Sequence, residues 1–397
     1  MDRDRDRPLN GMRIVEWSTG VAAAYAGRLL TTLGAETILV EPPEGAALRR
    51  EPPFLPGAAA ISATFAYLTA GKKSVVCDIT TAPGRADLAR LLDRADALIL
   101  DVPLDDRARL GLAEDAVMKT HPGLVYVSVL PFGAQGPKSG WRGEEINLIH
   151  SAGEGFLLPN GLSAETFPDR PPLKIHGSFM QMQAGVVAAL GVLASLWPDD
   201  GQVGQSVDVS AQDAALAVGA FAVQRFGDGS LEHRASRSFK YGGVLECADG
   251  YVELLMLEEH QWVAFVELMG RPGWAMEPAL SDPLERSRRG GEINAAIRAW
   301  TKTKRVADLV ESAQKLGVPM AKYNSPADVV ADPHERAREL FQSVSLPGFG
   351  DCDMLVSPFH FANKPLTLRA GPPACGEHQP ILRSAAEREL GAVGTVR

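Results

Sequence analysis

The chain has 397 residues, of which 45% are hydrophobic and 22% are charged, and its formal net charge is −9. This composition is that of a globular protein with a sizeable core, and it excludes disorder, collagen and coiled coil as the main state. Acidic residues outnumber basic ones, and the basic residues form no extended cluster in the sequence, so binding to nucleic acid is not expected.

Short apolar runs alternate with helix-like segments through the first third of the chain. Strands are predicted at Met12–Trp17, Glu36–Val40, Ser74–Asp78, Ala97–Leu100 and Leu124–Leu130, and helices at Ala22–Leu33 and Gly84–Arg94. A strand, a helix and a second strand within about 30 residues favour parallel pairing. The predicted fold class is therefore α/β with a mostly parallel sheet.

The rest of the chain predicts a smaller domain inserted into the larger one. Ala184–Leu196 is a helix of small apolar residues, which predicts burial on all sides. A strand at Gln205–Val209 and a helix at Gln212–Val223 follow. A hairpin within Leu245–Leu257 and helices near 260–270, 291–301 and 305–315 then form an α+β segment. The predicted boundaries are 1–224 for the large domain, 225–325 for the small domain, and 326–397, which begins with a helix at 333–341, for a return to the large domain.

Signals of compartment and metal binding are few. The four cysteines, Cys77, Cys247, Cys352 and Cys375, form no close pair, so they predict reduced thiols and no metal site. The first seven residues alternate charge and lack the apolar stretch of a signal peptide. No run of about 18 apolar residues occurs, so no membrane span is expected and the predicted location is the cytoplasm.

General catalytic motifs do not identify the chemistry. The turn after the first strand reads Ser-Thr-Gly-Val-Ala-Ala over residues 18–23, so it lacks the Gly-x-Gly-x-x-Gly fingerprint of dinucleotide sites. A phosphate-binding P-loop, a His-Glu-x-x-His zinc motif and a Gly-x-Ser-x-Gly elbow are also missing from the sequence. Motif searching alone therefore identifies no function, and the chain can be described only as a large α/β protein.

A series of blocks in order carries more information. They read LGAETILVE, AGKKSVVCDI, RLGL, HPGLVYVSV, FGAQGP, VGQSVDVSAQDAAL, LGVPMAKYNSPADVV and GEHQPIL. Together they resemble the family III CoA-transferases, also called the CaiB/BaiF family, over nearly the whole chain. The resemblance implies a Rossmann-like large domain with a parallel sheet built from both chain ends, a small mid-chain domain, and two chains interlocked as a dimer.

The resemblance also implies a reaction with CoA thioesters as substrates. In this family a carboxylate side chain attacks an acyl-CoA, and CoA passes through an enzyme-bound thioester to an organic acid. The catalytic Asp of the family precedes the helix that matches Ala184–Leu196, and it falls at Gln181 in this chain. Between Pro171 and Pro198 there is no Asp and no Glu. An amide is a far weaker nucleophile than a carboxylate, so the chain is expected to lack the family's nucleophile.

Three interpretations follow from this position. In the first, the chain is a non-catalytic subunit that pairs with a related catalytic chain, as in the heteromeric benzylsuccinate CoA-transferase; the sequence leaves a homodimer and a heteromer both open. Alternatively, Glu145 or Glu144 replaces the Asp as nucleophile or base, with pKa values split by like-charge repulsion. In the third interpretation, the protein binds a CoA ester and performs other chemistry. The acyl group and the acid cannot be named from the sequence.

Several positions correspond to CoA contacts in the family. The resemblance assigns Lys72 and Arg109 to the phosphates of CoA, since both supply charge-assisted donors. It also assigns contacts to Val21 and Asp101, and it makes Gly133 and Gly136 part of a glycine-rich lid beside the thioester. Asp101 replaces the usual Asn, and a carboxylate there would repel phosphates.

Overall fold

The structure is a computed structural model, and it divides the chain into two units. It describes residues 7–57, 61–158, 169, 173–197, 204–219, 223–224, 227, 241–361 and 364–382. The first unit contains the described residues of Met1–Glu154, Lys174–Phe221 and His334–Arg397. The second contains those of Gly155–Leu173 and Ala222–Pro333, and the predicted small domain of 225–325 falls within it.

A six-stranded parallel sheet forms the centre of the first unit, which confirms the predicted α/β class. The strands are β1 (Arg13–Trp17), β2 (Glu36–Glu41), β3 (Lys73–Val76), β4 (Ala97–Leu100), β5 (Val125–Leu130) and β6 (Ser206–Ser210). Their order is β3-β2-β1-β4-β5-β6. Because the order reverses between β1 and β4, a crevice opens at the carboxyl ends of these two strands, where doubly wound sheets bind ligands.

Helices follow most of these strands, as the apolar periodicity predicts. They are α1 (Val21–Thr32), α2 (Ala63–Thr69), α3 (Ala82–Leu92), α4 (Leu104–Leu110), α5 (Glu114–Thr120), α6 (Glu145–Ser151), α7 (Phe179–Ser195) and α8 (Ala211–Val218). One face of the sheet packs with α3 and α5 in a core that includes Ile38, Leu98 and Tyr126. Strands β1–β5 are mostly buried, which explains their apolar runs, whereas the edge strand β6 is exposed at Ser206 and Asp208.

Helix α7 packs tightly against α1. A Cβ atom on Gly185 would lie 2.7 Å from the carbonyl oxygen of Ala22 and 3.0 Å from Cβ of Tyr25, so only glycine permits this approach. The prediction that this helix is buried on all sides is wrong for the single chain. Val186 and Leu190 are 45% and 63% exposed, because the contact with α1 covers only one face of α7.

The second unit is a small antiparallel sheet with helices on one face. Strands β7 (Gly243–Cys247) and β8 (Gly250–Leu254) form the predicted hairpin, and β9 (Met320–Lys322) pairs with β8. The helices are α9 (Glu259–Leu268), α10 (Pro283–Arg288), α11 (Gly290–Thr301), α12 (Val306–Lys315) and α13 (Pro326–Ala331). Their core contains Trp262, Phe265 and Ile297.

The C-terminal segment returns to the first unit without adding a strand to the six-stranded sheet. It contains helix α14 (Pro333–Ala337) and strands β10 (Phe341–Leu346), β11 (Gly350–Leu355), β12 (His360–Phe361) and β13 (Lys364–Pro365). The helix predicted at 333–341 is therefore shorter than expected. The side chain of Gln379 donates to the carbonyl of Val76 and accepts from its N–H, both at 2.9 Å. Both chain ends thus build this unit, but the six sheet strands lie within residues 13–210.

No helix among the described residues is long and apolar enough to cross a membrane. In the same part of the chain, no group of three or more His, Cys, Asp or Glu side chains could hold a metal ion. All four cysteines are free, and Cys77 and Cys247 are buried.

A buried ion pair joins β1 to the start of β3. The ammonium of Lys72 lies 2.6 Å from the carboxylate of Glu16, and both side chains have no exposed surface. Lys72 also donates to the carbonyl of Ala24, and Ser18 donates to Glu16. A Cβ atom on Gly27 would lie 1.7 Å from Glu16 Oε2, so this glycine leaves the space that the pair occupies.

Removing one partner of this pair should destabilise the fold strongly. Lys72→Met leaves the Glu16 carboxylate buried without its cation, and we expect a loss of about 3–5 kcal/mol in the free energy of unfolding. Urea titration measures it. The neighbouring Lys73→Met is the control, since Lys73 pairs with Glu36 at a half-exposed site and should change stability by less than about 1 kcal/mol. The double variant Glu16→Gln/Lys72→Met should recover most of the loss, and a single variant as stable as the wild type would contradict this account.

Candidate active site

A pocket of about 560 Å³ lies in the crevice between β1 and β4. Its described lining comes mainly from the segments that follow β1, β4 and β5 and from the first turn of α7, with additions from the segment between β2 and β3 and from the start of α8. The residues that bring polar groups into this pocket include Thr19, Gly20, Asp101, Glu144, Ser178 and Gln181. All of them belong to the first unit, and the topology of the sheet brings them together.

The carboxylate of Asp101 is bound at the N-terminus of α1. Its Oδ1 accepts from the backbone N–H of Thr19 at 2.7 Å and from the Thr19 hydroxyl at 2.9 Å. Its Oδ2 accepts from the N–H of Gly20 at 2.7 Å. Burial raises the pKa of Asp101 to about 6 although these hydrogen bonds lower it, and the nearby Glu16 raises it further. Asp101 is therefore an anion at neutral pH that can take up a proton in mild acid.

Gln181 occupies the same corner of the pocket. A Cβ atom on Gly20 would lie 3.3 Å from Asp101 Oδ2 and 3.8 Å from Gln181 Oε1, so both oxygens approach this glycine. The contact between α7 and α1 at Gly185 sets this position, because Gln181 is one helical turn before Gly185. The pocket thus presents an amide at 181 and a carboxylate at 101.

Glu145 is buried beneath the first turn of α7. Its Oε1 accepts from the N–H of Met180 at 2.7 Å and its Oε2 from the N–H of Gln181 at 3.2 Å. The side chain is 6% exposed. Carboxylates at such positions satisfy free helical N–H groups and interact favourably with the helix dipole. Glu145 therefore holds the backbone that carries Gln181, and both of its oxygens are occupied.

Glu144 differs from its neighbour in exposure and in role. It lines the pocket, is exposed, and forms the N-cap of α6. Its backbone N–H donates to the side chain of Asn147 at 2.8 Å, which completes a capping box. Glu144 and Glu145 are thus the same residue type at adjacent positions, but one is exposed to the pocket and the other is buried under α7.

Replacing Glu145 should loosen the start of α7. Glu145→Gln directs an amide NH₂ at one of two helical N–H groups, so we expect a loss of about 1–3 kcal/mol in the free energy of unfolding. Glu144→Gln keeps an acceptor oxygen at an exposed cap and serves as the matched control, with an expected change below about 0.5 kcal/mol. Urea titration of both variants checks the difference, and equal effects would show that Glu145 does not hold α7.

The two predicted phosphate ligands lie elsewhere. Lys72 is enclosed in its pair with Glu16, and this position does not fit the predicted contact with CoA phosphates, because its ammonium does not reach the surface. Arg109 is 64% exposed and pairs with Asp106 at 2.8 Å. Arg109 is available to solvent but does not line the pocket that contains Gln181.

The remaining predicted contacts lie at two different cavities. Val21 lines the pocket. Gly133 and Gly136 have φ values of 78° and 86°, in the left-handed region that favours glycine. Their loop is tied to β6, since the N–H of Ala134 donates to Asp208 at 2.8 Å, and it lines a neighbouring cavity of about 420 Å³.

The backbone amides of Thr19 and Gly20 and the guanidinium of Arg107 were not predicted from the sequence. Arg107 is buried and donates to the carbonyl of Val102 and to the hydroxyl of Ser128, both at 2.8 Å. The amides carry no side-chain signal. One pattern could have indicated these amides: an acidic residue directly after the fourth strand faces the turn between the first strand and its helix across the switch point.

The fold and the pocket define a doubly wound α/β protein with its ligand site at the switch point of the sheet. The model of "CoA-transferase family III" matches residues 9–379, and the chain belongs to this family, as the blocks of sequence predicted. The chain is 27% identical to the "Succinate--glutarate CoA-transferase" of Agrobacterium fabrum, with 95% of each chain covered. It is also 27% identical to the "Succinyl-CoA:(R)-benzylsuccinate CoA-transferase subunit BbsE" of Thauera aromatica, with 92% of this chain and 91% of that chain covered.

Solved structures agree with this assignment. The crystal structure of a CAIB/BAIF family protein from Brucella suis superposes with a TM-score of 0.82 at 26% identity, and the match covers 95% of this chain and 99% of that chain. The similarity therefore extends over the fold of nearly the whole protein.

Proposed function

We propose that this chain is the non-catalytic subunit of a heteromeric family III CoA-transferase and that a homologous chain supplies the nucleophilic carboxylate. The observation that carries the proposal is the amide of Gln181 in the pocket at the switch point. The resemblance to the family puts the catalytic Asp at this position. An amide oxygen is uncharged and is a far weaker nucleophile towards a thioester carbonyl than a carboxylate is, so covalent catalysis from residue 181 is not expected.

The surroundings of Gln181 support a retained ligand site. Glu145 still binds the first turn of α7, and Gly185 still allows α7 to approach α1. A CoA thioester held in the crevice would meet the side-chain amide of Gln181, while the backbone N–H groups of Met180 and Gln181 donate to Glu145 beneath it. In this proposal the chain contributes a shaped pocket for an acyl-CoA, and the transfer of CoA to an organic acid takes place on the partner chain.

The alternative is a stand-alone enzyme that uses Glu145 or Glu144. Glu145 is a poor candidate, because an attack by its carboxylate would leave two N–H groups of α7 without acceptors in a buried place. Glu144 is the better one, since it is exposed and lines the pocket. The activity of the Glu144→Gln variant separates this alternative from the subunit proposal.

Two observations support an assembly with another chain. A relative carries the word "subunit" in its name, namely BbsE of a benzylsuccinate CoA-transferase. On α7, Phe179, Val186 and Leu190 are 40–63% exposed at spacings of seven and four residues, which align them on one side of the helix. Trp197, which follows the helix, is 79% exposed. Such an apolar stripe is typical of an interaction surface. We expect a homologous chain to cover it, in a heteromer or in the interlocked dimer that the resemblance implies.

The proposal is tested by mixing chains. We expect the purified chain alone to transfer no CoA from succinyl-CoA or butyryl-CoA to a panel of carboxylic acids, as followed by chromatography of the thioesters. Activity should appear when a co-encoded homologue with Asp at the position matching Gln181 is added. Transfer by this chain alone, whether or not it survives Gln181→Ala, would contradict the proposal, and loss of that activity in Glu144→Gln would establish the alternative.

Returning a carboxylate to residue 181 should create reactivity. In Asp101→Asn/Gln181→Asp we expect CoA transfer at least about tenfold above the wild-type background, because a nucleophile stands at the inherited position. Gln181→Asp alone should gain less, since two carboxyl groups in one corner raise each other's pKa. Gln183→Asp is the matched control, because Gln183 lies on α7 outside the pocket. An equal gain from Gln183→Asp would contradict the assignment of residue 181.

A further inference from the structure

Acidic side chains outnumber basic ones in the pocket around Gln181. Its described lining contains one basic side chain, Arg142, and five acidic ones: Glu51, Asp101, Asp105, Asp106 and Glu144. Asp106 is compensated by Arg109, and Arg142 is exposed. Asp101 is the acid that shares the corner of the pocket with Gln181.

Asp101 occupies groups that a bound anion would otherwise use. Helix α1 has 12 residues, and its N-terminal amides carry partial positive charge. Two N–H groups at this end, those of Thr19 and Gly20, already donate to the Asp101 carboxylate. The protein therefore places its own anion at the N-terminus of α1, where backbone dipoles would otherwise stabilise a negative ligand.

We propose that Asp101 determines the charge selectivity of the pocket, so that the acyl group held beside Gln181 carries no negative charge. The preferred ligand is the CoA thioester of an uncharged or cationic acyl group, and thioesters of dicarboxylic acids are disfavoured. This inference rests on the proposed function, since it takes residue 181 to mark the place of the thioester. It also separates this chain from relatives whose names specify succinate and glutarate.

The geometry keeps the charge of Asp101 in place. Three hydrogen bonds hold its carboxylate, so the side chain does not swing aside for a second anion. Glu16 on β1 faces it from the protein interior, and no cation among the described residues bonds to it. Two like charges about 5 Å apart in a partly solvated pocket weaken binding by about tenfold or more.

Direct binding of two matched thioesters to the purified full chain tests the proposal. Butyryl-CoA and succinyl-CoA share CoA and a four-carbon acyl chain, and they differ by the terminal carboxylate. At pH 7.5 we expect calorimetry to give a Kd for butyryl-CoA at least about tenfold below that for succinyl-CoA. Asp101→Asn should reduce this ratio to about threefold or less. Asp115→Asn, on the exposed first turn of α5, is the matched control and should leave the ratio unchanged.

A pH series makes the test independent of the variant. The pKa of Asp101 is raised to about 6, so the wild-type ratio should fall towards that of Asp101→Asn when the pH is lowered from 7.5 to 5.5. Equal affinities for the two thioesters, or a ratio that neither Asp101→Asn nor pH changes, would overturn the inference alone. Failure to bind either thioester would reject it together with the assignment of the pocket.

Discussion

The reversal of strand order between β1 and β4 is the constraint on which the site depends. It sends the chain away from the sheet in opposite directions, and it leaves the turn at Thr19–Gly20 and the carboxylate of Asp101 facing each other. Helix α7 then packs over α1 at Gly185, and this contact brings Gln181 to the same corner. Three segments that are far apart in sequence thus meet in one pocket. The topology of the sheet and the close packing of two helices bring them together, and no local sequence motif does.

The chemistry of that corner depends on which oxygens carry charge. In the family, the resemblance implies a carboxylate at the position of Gln181, whereas here the ionisable group stands at residue 101. A carboxylate at 101 is held by α1 and repels anions, so it does not replace a nucleophile at 181. Glu145 has a structural role under α7, because its carboxylate accepts hydrogen bonds from the first turn of that helix.

Much of the fold could be predicted because buried parallel strands leave continuous apolar runs, as at Leu124–Leu130. The correspondence of residue 181 to the family's catalytic Asp stays a prediction from the order of the sequence blocks. The surroundings of single side chains could not be predicted. Lys72 is enclosed by a partner 56 residues earlier in the chain, and no local pattern distinguishes it from a surface cation. Glu144 and Glu145 are adjacent and chemically identical, yet one is exposed and the other holds a helix, since burial is decided by the distant α7.

The proposal that this chain has no catalytic nucleophile is tested most directly by the mass of the intact protein. The purified chain, alone and mixed with a homologue that carries the Asp, is incubated with an acyl-CoA, quenched in acid and examined by mass spectrometry. The account predicts that a covalent acyl or CoA adduct forms on the homologue only. An adduct on the wild-type chain itself, at any residue, would contradict it.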